Sequence, residues 1–104
     1  GSGLQAQLEY QAIPYLAPVK EYIKAGCVPG GTNRNFDSYG FKLGELIDEQ
    51  RALLCDPQTS GGLLIAVEPD SASLLEQMLQ DAGIAPRCIG VLHERQAGPW
   101  VEVT

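Results

Sequence analysis

The segment Leu54–Ile65, "LCDPQTSGGLLI", joins two apolar runs through a polar turn and marks the boundary between two predicted elements. Pro57 disfavours the helical conformation for Asp56, so a helix that precedes this pair must end there. From Gly62 to Val67, five apolar residues follow the glycine without alternation, which is typical of a strand buried on both faces. The segment therefore predicts a helix end, a tight turn and a buried strand.

The residues before this segment predict a strand, two helices and a long loop. Apolar and polar residues alternate from Leu4 to Tyr10, as in a half-buried strand. Pro18 is well placed to begin a short helix that runs to about Lys24 and is ended by Gly26, and residues 45–54 favour a second helix. Between them, "CVPGGTNRNFDSYG" at residues 27–40 is rich in glycines and amides. We expect this stretch to form a functional polar loop.

The residues after the segment predict one more helix and two strands. The helix begins near Asp70 and ends at Gly83, and its apolar residues fall on one stripe. Residues 87–94 and 99–103 predict two strands that pair as a hairpin. This order of elements predicts the α+β class, with a small mixed or antiparallel sheet and helices packed on one face.

Composition excludes several classes of function. The chain has 104 residues, which is at most one domain. Its net charge of -6, without a cluster of Lys and Arg, predicts that it binds no nucleic acid directly. No apolar run approaches the roughly 20 residues of a membrane span, so no membrane partner is expected. Three cysteines without a CxxC pair predict a cytoplasmic protein without a structural zinc site.

Arg34 is the first candidate for binding chemistry. It lies among amides in "GGTNRNF", and a guanidinium group can hold a phosphate or carboxylate with two hydrogen bonds. Alternatively, Arg34 pairs with Asp37 and fixes the loop. Both interpretations are open at this stage.

The motif "DPQTSGG" has a different order from known phosphate loops, which run from a strand through glycines to a helix N-terminus. Here the glycines precede a strand and no lysine follows them. The residues alone favour a structural turn in which Asp56 forms an Asx-turn. His93 lacks a nucleophile and an orienting partner nearby in sequence. Cys55 closes an apolar run beside Asp56, whose carboxylate would raise the pKa of the thiol, so we expect a buried structural thiol. No complete catalytic set and no metal-ligand set is predicted.

The motifs "GGTNRNF" and "LLCDPQTSGGLLIAV" together resemble the C-terminal part of the selenophosphate synthetase (selenide, water dikinase) family. The stretch "YIKAGCVPGGT" is also similar to that family, and the resemblance covers essentially the whole chain. Within the aminoimidazole ribonucleotide synthetase-like superfamily, "DPQTSGG" distinguishes this family from other ATP-dependent enzymes.

The resemblance implies an enzyme that makes selenophosphate, AMP and phosphate from selenide, ATP and water, for selenocysteine and selenouridine synthesis. It implies a homodimer of two-domain subunits, with ATP and Mg²⁺ bound chiefly by the N-terminal domain. The motifs of that domain are missing from residues 1–104. We therefore expect an N-terminally truncated, partial C-terminal domain that is inactive alone, binds no cofactor alone and has its own N-terminal domain as a partner.

The resemblance also implies which residues lie at the active-site wall or bind substrate. These candidates occupy the two polar stretches, which we expect to converge at the edge of the sheet: Thr32, Asn33, Arg34, Asn35, Asp56, Gln58, Thr59, Ser60, Gly61 and Gly62. Two alternatives are a stand-alone interaction or dimerisation module and a fragment of another ATP-dependent enzyme of the superfamily. An apolar face left uncovered by missing elements favours self-association.

Overall fold

Four α-helices and three short strands form the fold in the computed structural model, which describes residues 2–104. This composition confirms the predicted α+β class with a small mixed sheet. None of the described helices is long and apolar enough to cross a membrane. Two 3₁₀ helices, Tyr10–Ala12 and Gly40–Lys42, lie between the main elements. The main elements are β1 (Leu4–Leu8), α1 (Val19–Lys24), α2 (Gly30–Tyr39), α3 (Asp48–Leu54), α4 (Pro69–Asp81), β2 (Gly90–Glu94) and β3 (Val101–Val103).

The sheet has the order β2-β1-β3, so the predicted hairpin of the last two strands is wrong. β1 pairs antiparallel with β2 and parallel with β3. The connection between β2 and β3 passes the start of β1, where the backbone N–H of Gln96 donates to Gln5 Oε1 at 3.1 Å. Arg95 holds this connection, because it donates to the Gly98 carbonyl at 2.6 Å and lies 4.3 Å from the centre of the Trp100 ring. In a hairpin the two strands pair directly with each other, whereas here β1 lies between β2 and β3 and pairs with both.

The predicted polar loop at residues 27–40 is wrong, because most of it is helix α2. Both glycines lie in the first turn, where backbone N–H groups lack helical partners and the weak helix propensity of glycine matters least. Pro29 precedes them with an extended backbone, at φ -61° and ψ 143°. Helix α3 starts three residues later than predicted, where the Ile47 N–H donates to Gln50 Oε1 at 3.0 Å.

The predicted buried strand at residues 62–67 is also wrong, because these residues form no strand in the described structure. Leu63 is 92% exposed and Leu64 is 80% exposed. A strand buried on both faces needs neighbouring strands and a covering layer, and residues 2–104 supply neither here. The following helix α4 forms as predicted, although Leu74 and Met78 on its apolar stripe are exposed. We call residues 62–84 the apolar arm.

The buried core is small and lies where α3 meets the end of β1 and α2. Tyr10, Ala52 and Cys55 are its buried apolar residues. The Tyr10 hydroxyl donates to Glu49 Oε1 at 3.0 Å, and Lys20 Nζ forms an ion pair with the same oxygen at 3.3 Å. These two contacts, led by the Tyr10 hydrogen bond, lower the pKa of the Glu49 carboxyl. Helices α1 and α2 both pack against α3.

Candidate functional site

The start of α2 packs directly against the turn that follows α3. A Cβ atom added to Gly31 would lie 2.7 Å from Cγ and 2.9 Å from Cβ of Pro57. Only glycine fits at this buried position without moving the proline ring. The structure therefore brings "GGTNRN" and "DPQ" together. This contact lies where the start of α2 meets the turn after α3, whereas we expected the two motifs to converge at the edge of the sheet.

Two hydrogen bonds hold this contact in place. Asn35 Nδ2 donates to the Cys55 carbonyl at 2.9 Å, and Arg51 Nη2 donates to Asn33 Oδ1 at 2.9 Å. The Arg51 guanidinium also lies 4.0 Å from the centre of the Phe36 ring, within the range of a cation–π interaction. Sequence reasoning missed Arg51. The feature of the sequence that could have indicated it is that Arg51 is the single basic residue in the predicted helix at residues 45–54.

The first turn of α2 is suited to an anion. It has no side-chain cap and no acidic residue, so the helix dipole leaves partial positive charge at the N–H groups of Gly30 and Gly31. Arg34 lies one turn further on and is exposed, with Nη2 3.6 Å from the position of a Gly31 Cβ. Within residues 2–104, Arg34 forms no ion pair with Asp37. The guanidinium therefore keeps its donors available beside the helix start.

Thr32 lies on the same turn and is 1% exposed. Its backbone N–H donates to the Pro29 carbonyl at 3.0 Å. Its side-chain Oγ1 is buried without a hydrogen-bond partner among the described residues. A desolvated hydroxyl without a partner destabilises a fold, and such groups are rare in native structures.

We expect Thr32→Val to raise the free energy of unfolding by about 1 kcal/mol, because it removes this unsatisfied hydroxyl while nearly preserving side-chain shape. Urea unfolding followed by circular dichroism measures the change. Thr59→Val is the matched control, since Thr59 is exposed and the same replacement there should change little. A clear loss of stability in Thr32→Val alone would mean that the hydroxyl has a partner in the folded chain.

The second motif, "DPQTSGG", is more exposed to solvent than the first. Asp56, Gln58, Thr59, Ser60, Gly61 and Gly62 are all exposed. The Asp56 carboxylate accepts no hydrogen bond from residues 2–104, so the predicted Asx-turn is not formed. A Cβ on Gly61 would lie 2.6 Å from Gln58 Oε1, so the Gln58 side chain folds back over this glycine. Residues 59–62 lead away from α2 into the apolar arm.

Cys55 is buried, as predicted, and is 9% exposed. Burial raises the pKa of its thiol, and the nearby Arg51 cation opposes this only in part. The Asp56 carboxylate, which the sequence predicts as the source of the raised pKa, does not contribute, and loss of solvation is the cause. Cys27 and Cys88 are exposed and free.

We therefore expect a disulfide reagent at mildly alkaline pH to modify two thiols rapidly and the third only after unfolding. The thiolate is the reactive form, and Cys55 is both protonated and shielded. Counting released chromophore over time, with and without urea, measures this difference. The Cys55→Ala variant should lack the slow phase. Equal rates for all three thiols would contradict the burial of Cys55.

His, Cys, Asp and Glu side chains do not gather into a metal-binding group of three or more anywhere in the described part of the chain. His93 lies half-buried on β2, with Nδ1 3.2 Å from the Glu94 carbonyl oxygen. The groups in this region whose chemistry complements an anion are the first-turn N–H groups of α2 and the Arg34 guanidinium.

Comparison with known proteins gives strong similarity to one group. The chain is 53% identical over 98 residues to the selenide, water dikinase of Photorhabdus laumondii, a match that covers 94% of the chain. It is 52% identical over 104 residues to that of Cronobacter sakazakii, covering 99% of the chain. The chain is homologous to part of the selenide, water dikinases. The resemblance found in the two motifs is thereby confirmed.

The match to the selenide, water dikinases covers only part of those proteins. The chain spans 28% of the Photorhabdus relative and 30% of the Cronobacter relative. The relative from Photobacterium profundum is 62% identical over 80 residues, which is 77% of the chain and 22% of that protein. No profile of a protein family matches the chain.

Proposed function

We propose that this chain is the C-terminal part of an enzyme that makes selenophosphate from selenide, ATP and water and releases AMP and phosphate. In this proposal, selenophosphate supplies selenocysteine and selenouridine synthesis. The observation that carries it is the packing of Gly31 on Pro57, because the two motifs that resemble the family meet at one place. Identities above 50% to proteins named selenide, water dikinase support it and count against a different enzyme of the superfamily.

The proposed role of the site is to bind and orient a phosphoryl group. The N–H groups at the start of α2 and the Arg34 guanidinium complement a phosphate oxygen. ATP, when bound by the whole enzyme, supplies that phosphoryl group. The Thr32 hydroxyl lies on the same turn, and Arg51 and Asn35 position α2 without contacting the ligand. In phosphoryl transfer, positioning of this kind and charge stabilisation supply most of the catalysis.

The remaining parts of the proposal lie outside the described contacts. In this proposal the N-terminal domain supplies the ligands for Mg²⁺, as the resemblance to the family implies. That domain is the proposed partner of this chain, and the whole enzyme is a homodimer. The candidates Gln58, Thr59, Ser60, Gly61 and Gly62 then line the wall that faces it. The three free thiols fit a cytoplasmic location.

A chimaera tests this proposal. The segment of the Cronobacter sakazakii enzyme that aligns with this chain is replaced by residues 1–104, so that the remaining part of that enzyme is unchanged. We expect AMP formation that depends on selenide, at a rate within about tenfold of the parent, which corresponds to a rise of no more than about 1.4 kcal/mol in the activation free energy. The parent enzyme is the positive control. A folded chimaera without selenide-dependent AMP formation would refute the proposal.

A further inference from the structure

The buried Thr32 hydroxyl lies at the start of α2 and has no role in the fold. Thr32 is 1% exposed, and its Oγ1 has no hydrogen-bond partner among residues 2–104. The Cα–Cβ bonds of an α-helix tilt towards its N-terminus, so this side chain leans towards the first-turn N–H groups of Gly30 and Gly31. A desolvated hydroxyl without a partner is destabilising and rare in native structures. Its place beside an uncapped helix start points to a ligand as the missing partner.

We propose that the start of α2 binds a phosphate group with three free oxygens and that the Thr32 hydroxyl donates to one of them. This inference rests on the proposed function and adds Thr32 to the groups that bind the phosphoryl group. The N–H groups of Gly30 and Gly31 and the exposed Arg34 guanidinium supply the other donors. The hydroxyl is therefore satisfied only in the bound state.

The three kinds of donor select the class of phosphate. The terminal phosphate of ATP and free orthophosphate each carry at least three oxygens that accept hydrogen bonds, whereas a phosphate within a diester carries two. With a diester, one kind of donor would stay unsatisfied, and the buried hydroxyl is the most costly one to leave in that state. The ligand is therefore a terminal or a free phosphate.

The turn after α3 must move before an anion can reach this hydroxyl, because Gly31 and Thr32 are both buried. The Pro57 ring lies against Gly31, with its Cγ 2.7 Å from the position of a Cβ atom there. Residues 56–62 are exposed and form no hydrogen bond between backbone groups in the described structure. Segments with few such contacts open at little cost in free energy. The turn at residues 56–62 is therefore the cover that opens when the anion enters.

Titration of the 104-residue chain with orthophosphate, followed by the amide NMR shifts of Gly30 and Gly31, tests this inference. We expect saturable shifts in the unmodified chain. Thr32→Val should raise the dissociation constant by about tenfold or more, because hydrogen bonds to charged groups are among the strong ones. Thr32→Ser keeps the hydroxyl and should bind much as the unmodified chain does. Ser38→Ala is the matched control, since it removes an exposed hydroxyl further along the same helix.

Two further probes define the ligand class. Dimethyl phosphate, which has two free oxygens, should bind far more weakly than orthophosphate. Competition between ATP and orthophosphate distinguishes the two sources: tighter binding of ATP assigns the site to its terminal phosphate, and tighter binding of orthophosphate assigns it to the released product. Equal dissociation constants for Thr32→Val and the unmodified chain would overturn the inference. Absence of shifts in the unmodified chain, or equal binding of dimethyl phosphate, would do so as well.

The chimaera with the Cronobacter enzyme separates this inference from the proposed function. Selenide-dependent AMP formation by a chimaera whose chain binds no orthophosphate would overturn the inference and leave the proposed function in place. Orthophosphate binding that depends on Thr32, in a chain whose folded chimaera forms no AMP, would uphold the phosphate site and refute the proposed function. Because Thr32→Val is expected to be the more stable variant without phosphate, loss of folding does not account for weaker binding.

Discussion

Alanine at position 31 is expected to lower the free energy of unfolding by about 1–3 kcal/mol, whereas alanine at position 30 should change it by less than about 0.5 kcal/mol. The two glycines are adjacent in the first turn of α2, and neither has a positive φ. They differ in the space around them. A Cβ at Gly31 would lie 2.7 Å from the rigid Pro57 ring, while a Cβ at Gly30 would have no atom within 4 Å.

Urea unfolding of the two variants measures this difference. The slope of the unfolding free energy against urea concentration should be equal in the two variants. The difference should therefore appear in the urea concentration at the midpoint of unfolding. The disulfide reagent should also modify Cys55 faster in the Gly31→Ala variant. Movement of α2 away from the turn would strain the hydrogen bond from Asn35 to the Cys55 carbonyl. Gly30→Ala should keep the slow rate. If the two variants are equally stable and Cys55 is equally protected, Pro57 does not pack against the helix start.

The elements that sequence could predict are those whose side-chain pattern repeats locally. Alternation from Leu4 predicted that β1 is a strand, but not which of its faces is buried, because Gln5 is 2% exposed and Leu4 is 38% exposed. Pro18 and Gly26 predicted the limits of α1, with Gly26 at φ 79°. The apolar stripe from Leu74 to Ala82 predicted α4. In each case the information lies within one element, so tertiary contacts are not needed to read it.

The errors arose where tertiary contacts decide the local structure. The glycines and amides at residues 30–35 favour a loop by propensity, yet packing against α3 and Pro57 makes them helical. The apolar run after Gly62 has the composition of a buried strand but has no partner within residues 2–104. The order of β2 and β3 around β1 depends on contacts between distant residues, which adjacency in sequence does not reveal.

The candidate site was predictable in part. Resemblance selected Thr32, Asn33, Arg34 and Asn35, and the structure places them on the helix that packs on the second motif. The role of Asn35 as a tie to Cys55 and the contribution of Arg51 could not be predicted, since both depend on how α2 and α3 pack. Contact of residues 58–62 with a ligand stays a prediction.

Alanine at position 34 is expected to lower selenide-dependent AMP formation of the chimaera by about 10–100-fold, because hydrogen bonds to a charged group contribute about 1.5–3 kcal/mol. Arg34 is exposed beside the uncapped start of α2 and has no ion pair to Asp37 within the described residues. Its removal should therefore affect ligand binding more than folding. Arg34→Lys should restore part of the rate, since lysine keeps the charge but loses the planar fork.

Arg87→Ala is the matched control, because Arg87 is an exposed arginine outside α2 and the turn after α3. The decisive measurement compares selenide-dependent AMP formation by the two alanine variants of the chimaera, at equal content of folded protein. We expect a loss of about tenfold or more for Arg34→Ala and a rate close to that of the unmodified chimaera for Arg87→Ala. Equal rates in both variants would contradict the claim that the start of α2 binds the phosphoryl group.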